Sequence, residues 1–125
     1  MINLADKKLG RASSEIAKIL IGKNDANFSY EKDIKNYVIA INAKQIVLTG
    51  NKAQSKRYYR HSGYIGNIKI NEFKDMFSKS PEKVIVHSVA GMLPKNTLRD
   101  ARIKRLKVYS GEEHPHKNVN EIINI

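Results

Sequence analysis

The sequence predicts one α/β domain, with a mostly parallel sheet and helices on both faces. Two observations carry this expectation. Short apolar runs rich in β-branched residues alternate with stretches whose apolar residues recur at helical spacing, which is the pattern of strand–helix–strand units. The chain has 125 residues, of which 41% are hydrophobic, the size and composition of a single globular core. No internal repeat or linker-like stretch divides it.

Taken in order, Ile2 to Ala5 is a short apolar piece suited to open a sheet. Ala12, Ile16, Ile19 and Leu20 then fall on one helical face, and Gly22 is the expected stop. Residues 23–36 are polar and turn-like. Tyr37 to Ile41 is continuously apolar, as expected of a strand buried on both faces. Ile46 to Leu48 is a second, shorter run, closed by Thr49, Gly50 and Asn51. Asn71 to Ser78 carries Phe73, Met76 and Phe77, a short amphipathic helix capped by Asn71. Ser80, Pro81 and Glu82 supply an N-cap, a proline at the first position and an acid in the first turn. They favour helix from 81 to about 92 over the strand that the residue types of 84–89 suggest alone. Val84, Ile85, Val89, Met92 and Leu93 form its buried stripe, with His87 as a core residue. Pro94 ends it. Thr97 caps a further helix through Leu106, whose Arg99, Arg102, Lys104 and Arg105 are expected to cover its outer face. Lys107 to Tyr109 is a final strand, and 111–125 is an acidic, polar, partly extended tail.

Charge is the strongest functional signal. Twenty-three Lys and Arg against twelve Asp and Glu give +11, and residues 51–107 alone carry fourteen basic and four acidic side chains. Such an excess attracts polyanions and opposes compaction. In residues 51–69, Lys52, Lys56, Arg57, Arg60 and Lys69 interleave with Tyr58, Tyr59, His61 and Tyr64. Cations reach phosphates and planar rings stack on unpaired bases, so this segment is expected to grip irregular RNA. Residues 95–107, with Lys95, Arg99, Arg102, Lys104, Arg105 and Lys107, are expected to track phosphates. Lys7, Lys8 and Arg11, at a helix start, add a third contact.

Other chemistry finds little footing. The chain has no cysteine and therefore no disulfide or thiolate metal site. It has neither a P-loop nor a dinucleotide-binding glycine pattern. Gly63 and Gly66 match a GXXG loop without the helices that loop needs. His114 and His116 form a lone H-x-H without a third ligand at a set spacing. No apolar run reaches the ~20 residues of a membrane span. We therefore expect no cofactor, no metal, no membrane contact, no small-molecule substrate and no catalytic residue.

Several motifs follow one another in a specific order: Leu9-Gly10-Arg11, Ile46 to Lys52 (IVLTGNK), Tyr58 to Gly63 (YYRHSG), Gly91 to Lys95 (GMLPK), Leu106 to Tyr109 and Glu113 to His116 (EHPH). In this order they resemble the bacterial-type family of the thirteenth protein of the large ribosomal subunit, over residues 2 to 118. The resemblance implies a single three-layer α/β/α domain over residues 1–125, with a small, mostly parallel four-stranded sheet and a basic extended hairpin. It implies a structural constituent of the large subunit that binds large-subunit ribosomal RNA early in assembly, beside neighbouring ribosomal proteins. It extends the expected RNA contacts to His114 and His116. The expected location is the cytoplasmic ribosome of a bacterium or the ribosome of an organelle. The alternatives are a free regulatory RNA binder or a small RNA-directed enzyme subunit on the same scaffold.

Overall fold

The computed structural model describes residues 1–119, 121–123 and 125. Its central sheet has three strands, β1 (Ile2–Asn3), β2 (Val38–Ile41) and β5 (Leu106–Val108), in the order β1-β2-β5 and all parallel. Between β1 and β2 runs helix α1 (Leu9–Ile21). Between β2 and β5 lie a 3-10 turn (Ala43–Gln45), α2 (Lys52–Ser55), the antiparallel pair β3 (Arg57–His61) and β4 (Ile68–Glu72), α3 (Phe73–Lys79), α4 (Pro81–Met92) and α5 (Leu98–Lys104).

This is the expected α/β class, but the sheet departs from the expected four parallel strands. Ile46–Leu48 does not become a strand; Val47 makes a single parallel bridge to Lys8. A further parallel bridge joins Ile123 to Ile2, on the edge of β1 away from β2, with the Ile123 N–H donating to the Met1 carbonyl at 2.9 Å. The path β1 to β2 to β5 steps across the sheet in one direction, and α1 and α4 pack on each other. Right-handed crossovers in one direction put their helices on one side. On the other side, tail residues His116, Val119 and Ile123 line a cleft with Ile39 and Lys107.

The core lies between the sheet and this helical side. Ile2, Leu4, Val38, Ala40 and Leu106 from the sheet region meet Leu9, Ala12, Ile16, Leu20, Val84, Ile85 and Val89 from α1 and α4. Burial of a large aliphatic side chain contributes about 1.5–3 kcal/mol, so these two stripes are what hold the helices in place. Gly22 ends α1 as expected: its φ is +86°, and its N–H reaches the carbonyls of Lys18 and Ile19. A Cβ there would lie 2.7 Å from the Ile34 side chain, so the position excludes larger residues twice over.

Five local expectations are corrected. Asn71 belongs to β4, and α3 begins after Glu72, because the hairpin ladder claims Asn71 as the partner of Tyr58. Met92, at the last turn of α4, is exposed, whereas Val84, Ile85, Val89 and Leu93 are buried as expected. His87 is exposed rather than in the core. The helix after Pro94 is shorter than expected, since Leu106 already pairs in β5. Its N-terminal cap bond comes from Asn96, whose Oδ1 accepts the Leu98 N–H at 3.1 Å, and not from Thr97.

Candidate nucleic-acid interface

The β3–β4 hairpin projects from the domain. Across it Tyr59 pairs with Ile70, His61 with Ile68, Tyr58 with Asn71 and Arg60 with Lys69. Directly opposed residues share a face and alternate residues change face. One face therefore carries Tyr59, His61, Ile68 and Ile70, and the other carries Tyr58, Arg60, Lys69 and Asn71. Every residue from Tyr59 to Glu72 is exposed. Gly63 and Gly66, at φ of +89° and +81°, turn the tip, which presents Tyr64 and Ile65 to solvent. The Gly63 N–H donates to His61 Nδ1 at 2.9 Å, which leaves the Nε2 edge of that ring outward.

The two adjacent tyrosines have separate tasks. Tyr59 is 69% exposed. Tyr58 is half-buried and meets the His87 ring edge-on at 5.0 Å, with the Lys56 ammonium 5.5 Å from its own ring centre. Burial raises the Tyr58 phenol above its ordinary pKa, so it stays neutral. Tyr58 anchors the hairpin to α4, and Tyr59 is left free to stack.

A second basic cluster joins two segments that are distant in sequence. The Lys8–Val47 bridge, in which the Leu9 N–H donates to the Val47 carbonyl at 2.9 Å and the Val47 N–H to the Lys7 carbonyl at 2.8 Å, brings the start of α1 beside the Thr49–Lys52 turn. Lys8, Arg11, Thr49 and Lys52 consequently line one hollow. Lys7 is half-buried beside it, whereas Lys8 and Arg11 are exposed. No carboxylate lies in the first turn of α1, so no side-chain charge there offsets the positive end of the helix.

The third expected contact is divided. Lys95, Lys104 and Lys107 are exposed and Arg99 is half-buried. Arg102 and Arg105, expected on the outer face, are 1% and 8% exposed instead. Arg105 donates from Nη1 and Nη2 to the two oxygens of Asp33 at 2.8 and 2.6 Å, and Arg102 Nε lies 3.7 Å from the same carboxylate. The Arg105 hydrogen bonds hold the Asp33 carboxyl below its ordinary pKa and Asp33 holds the guanidinium above its own. These two arginines tie the irregular 23–37 segment to α5, and they are already occupied. Asp33 escaped sequence reasoning because its partners lie some seventy residues away, in a segment with no periodicity.

His114 and His116 gather around Tyr109, whose hydroxyl lies 2.8 Å from His116 Nε2. Both rings are half-buried and fasten the start of the tail. Among the described residues no group of three His, Cys, Asp or Glu side chains is placed to hold a metal ion, and no helix is long and apolar enough to cross a membrane.

The sequence is similar to that of known proteins. The sequence model of the ribosomal protein L13 family matches residues 1–115. The large ribosomal subunit protein uL13 of Acidithiobacillus ferrooxidans is 48% identical over 116 residues, which is 93% of this chain and 82% of that protein. The uL13 proteins of Hahella chejuensis and Beutenbergia cavernae are 47% and 45% identical over 116 residues, again 93% of this chain and 82% and 79% of theirs.

Proposed function

We propose that this chain, which belongs to the ribosomal protein L13 family, is a structural constituent of the large ribosomal subunit of a bacterium, holding large-subunit ribosomal RNA and supporting subunit assembly. The family is a structural component of the ribosome and not an enzyme. The relatives named above are bacterial, which supports the bacterial ribosome over an organellar one.

The observation that carries the RNA contact is the hairpin. An isolated two-stranded hairpin is marginal in water, and here a long one stands away from the core with nearly all its side chains exposed. Those side chains include Arg57, Arg60, Lys69, Tyr59, His61 and Tyr64, the types that neutralise phosphates and stack on bases. Lys8, Arg11 and Lys52 add a second contact, and Lys95, Lys104 and Lys107 a third. Arg102 and Arg105 are assigned to the fold. Neighbouring ribosomal proteins are the remaining expected partners.

The test is sedimentation. Tagged protein expressed in bacteria should remain with large subunits on a sucrose gradient after a high-salt wash. A protein found free at the top of the gradient under low salt would instead be a regulatory RNA binder.

A further inference from the structure

Three arginines run along α5 and its end: Arg99, Arg102 and Arg105, each three residues from the next. Residues three apart on a helix are surface neighbours. One carboxylate meets this row, and both oxygens of Asp33 accept from Arg105. Arg102 is 1% exposed and reaches the same carboxylate only through Nε, at 3.7 Å. Asp100, the other acid of α5, is exposed and pairs with none of the three. Among the described residues, four buried nitrogens of the row meet no acceptor: Arg99 Nε, Arg102 Nε and Nη2, and Arg105 Nε.

The charges here do not balance. Three guanidinium groups share one carboxylate, and Lys35 adds a further cation beside Asp33. The carbonyl end of α5 supplies at most roughly half a negative charge. A guanidinium taken out of water is costly unless acceptors and negative charge meet it. Arg105 has both from Asp33. Arg102, the more deeply buried of the two, lacks them.

Size decides what supplies the missing charge. A side chain with 1% of its surface accessible cannot take a phosphodiester strand, whereas Lys104 and Lys107 in the same segment are open to one. A compact ion with several oxygens suits the row, because the planar guanidinium fork pairs with two oxygens of an oxyanion at once.

We infer that Arg99 and Arg102 hold a small free oxyanion of the phosphate or sulfate class, which completes the joint between α5 and the 23–37 segment. Arg102 donates to it from Nη2 and Arg99 from Nε. The ion reaches Arg102 as the joint opens locally, and it is a structural ion, separate from the RNA contacts proposed above.

The test uses the full chain, freed of nucleic acid, with inorganic phosphate as the probe. Equilibrium dialysis at constant ionic strength should find one saturable phosphate site per chain. Phosphate at about ten times its dissociation constant should raise the melting temperature by about 5 °C over chloride at the same ionic strength. Arg102→Met should abolish the site and the increment together. Arg99→Gln, at a half-buried position, should keep the fold whether or not Arg102→Met does, and weaken the site about tenfold, the equivalent of one lost hydrogen bond between charged groups. Lys104→Gln combined with Lys107→Gln should change neither. Binding that does not saturate, a site unchanged by Arg99→Gln, or an increment lost with the two exposed lysines would mean an adventitious ion only and would overturn the inference. A large-subunit ribosomal RNA transcript separates the two sources of phosphate: labelled phosphate should stay bound in the RNA complex. Release of the ion as RNA binds would give the row to RNA, which overturns the inference and leaves the RNA-binding reading standing.

Discussion

Asp33 and Arg105 are joined by two parallel hydrogen bonds of 2.8 and 2.6 Å between groups 72 residues apart. Arg102 stands 3.7 Å from the same carboxylate with Nε and Nη2 otherwise unpartnered. The pair converts two cations of a strongly basic segment into a clasp between α5 and the segment that leads into β2. Removing one partner of a buried ion pair leaves the other charge uncompensated and costs about 3–5 kcal/mol. Asp33 keeps a quarter of its surface in water, so Asp33→Ala is expected near the lower end, about 3 kcal/mol. Urea titration at neutral pH reads this directly.

The same pair sets a pH dependence. The folded-state pKa of Asp33 is lowered, first by the Arg105 hydrogen bonds. Its contribution to stability is therefore present above the unfolded carboxyl value of about 3.9 and is lost as pH falls through the lower folded value. Unfolding midpoints measured from pH 7 down to pH 2 should show this loss at the acid end. The Asp33→Asn variant, less stable at pH 7, should converge on the unaltered protein as the pH is lowered.

Burial also divides the cations of residues 95–107. Arg102→Ala combined with Arg105→Ala should lower the melting temperature and leave the salt slope of the folded fraction unchanged. Lys104→Gln combined with Lys107→Gln should do the reverse, lowering the slope by up to about 0.7–0.9 for each phosphate contact. Equal loss of slope in both pairs would mean that RNA opens the Asp33 clasp.

The two neighbouring tyrosines should separate in the same way. Tyr59→Ala is expected to leave the melting temperature unchanged and to weaken ribosomal RNA binding by roughly 1–3 kcal/mol, the range for a stacked base. Tyr58→Ala removes the contact with His87 and should lower stability first. A Tyr59→Ala protein that melts early but binds normally would reverse this assignment.

Much of the fold was legible in the sequence because local signals agreed with the tertiary demand. The spacing of Ala12, Ile16 and Leu20, the stop at Gly22 and the proline at the start of α4 each name an element, and each is found. What was not legible depended on long-range partners. Val47 has the residue type of a strand, yet it has only Lys8 to pair with, so no strand forms at 46–48. Arg102 and Arg105 read as solvated cations because nothing near them in sequence shows the carboxylate that meets them. At the interface, the composition of 51–69 pointed to the hairpin, but only strand register shows which rings face outward. The Lys8–Val47 bridge places Lys52 beside Lys8 and Arg11 rather than on the hairpin.

The central claim is that a folded basic surface neutralises many phosphates of large-subunit ribosomal RNA at once. The most direct measurement is the affinity for a large-subunit ribosomal RNA transcript across a salt series from about 50 to 300 mM, a range in which multi-phosphate contacts weaken steeply. Each neutralised phosphate contributes about 0.7–0.9 to the slope, so five or more simultaneous contacts predict a slope steeper than about −3.5. A slope near −1 or shallower, with the protein folded throughout, would contradict the account.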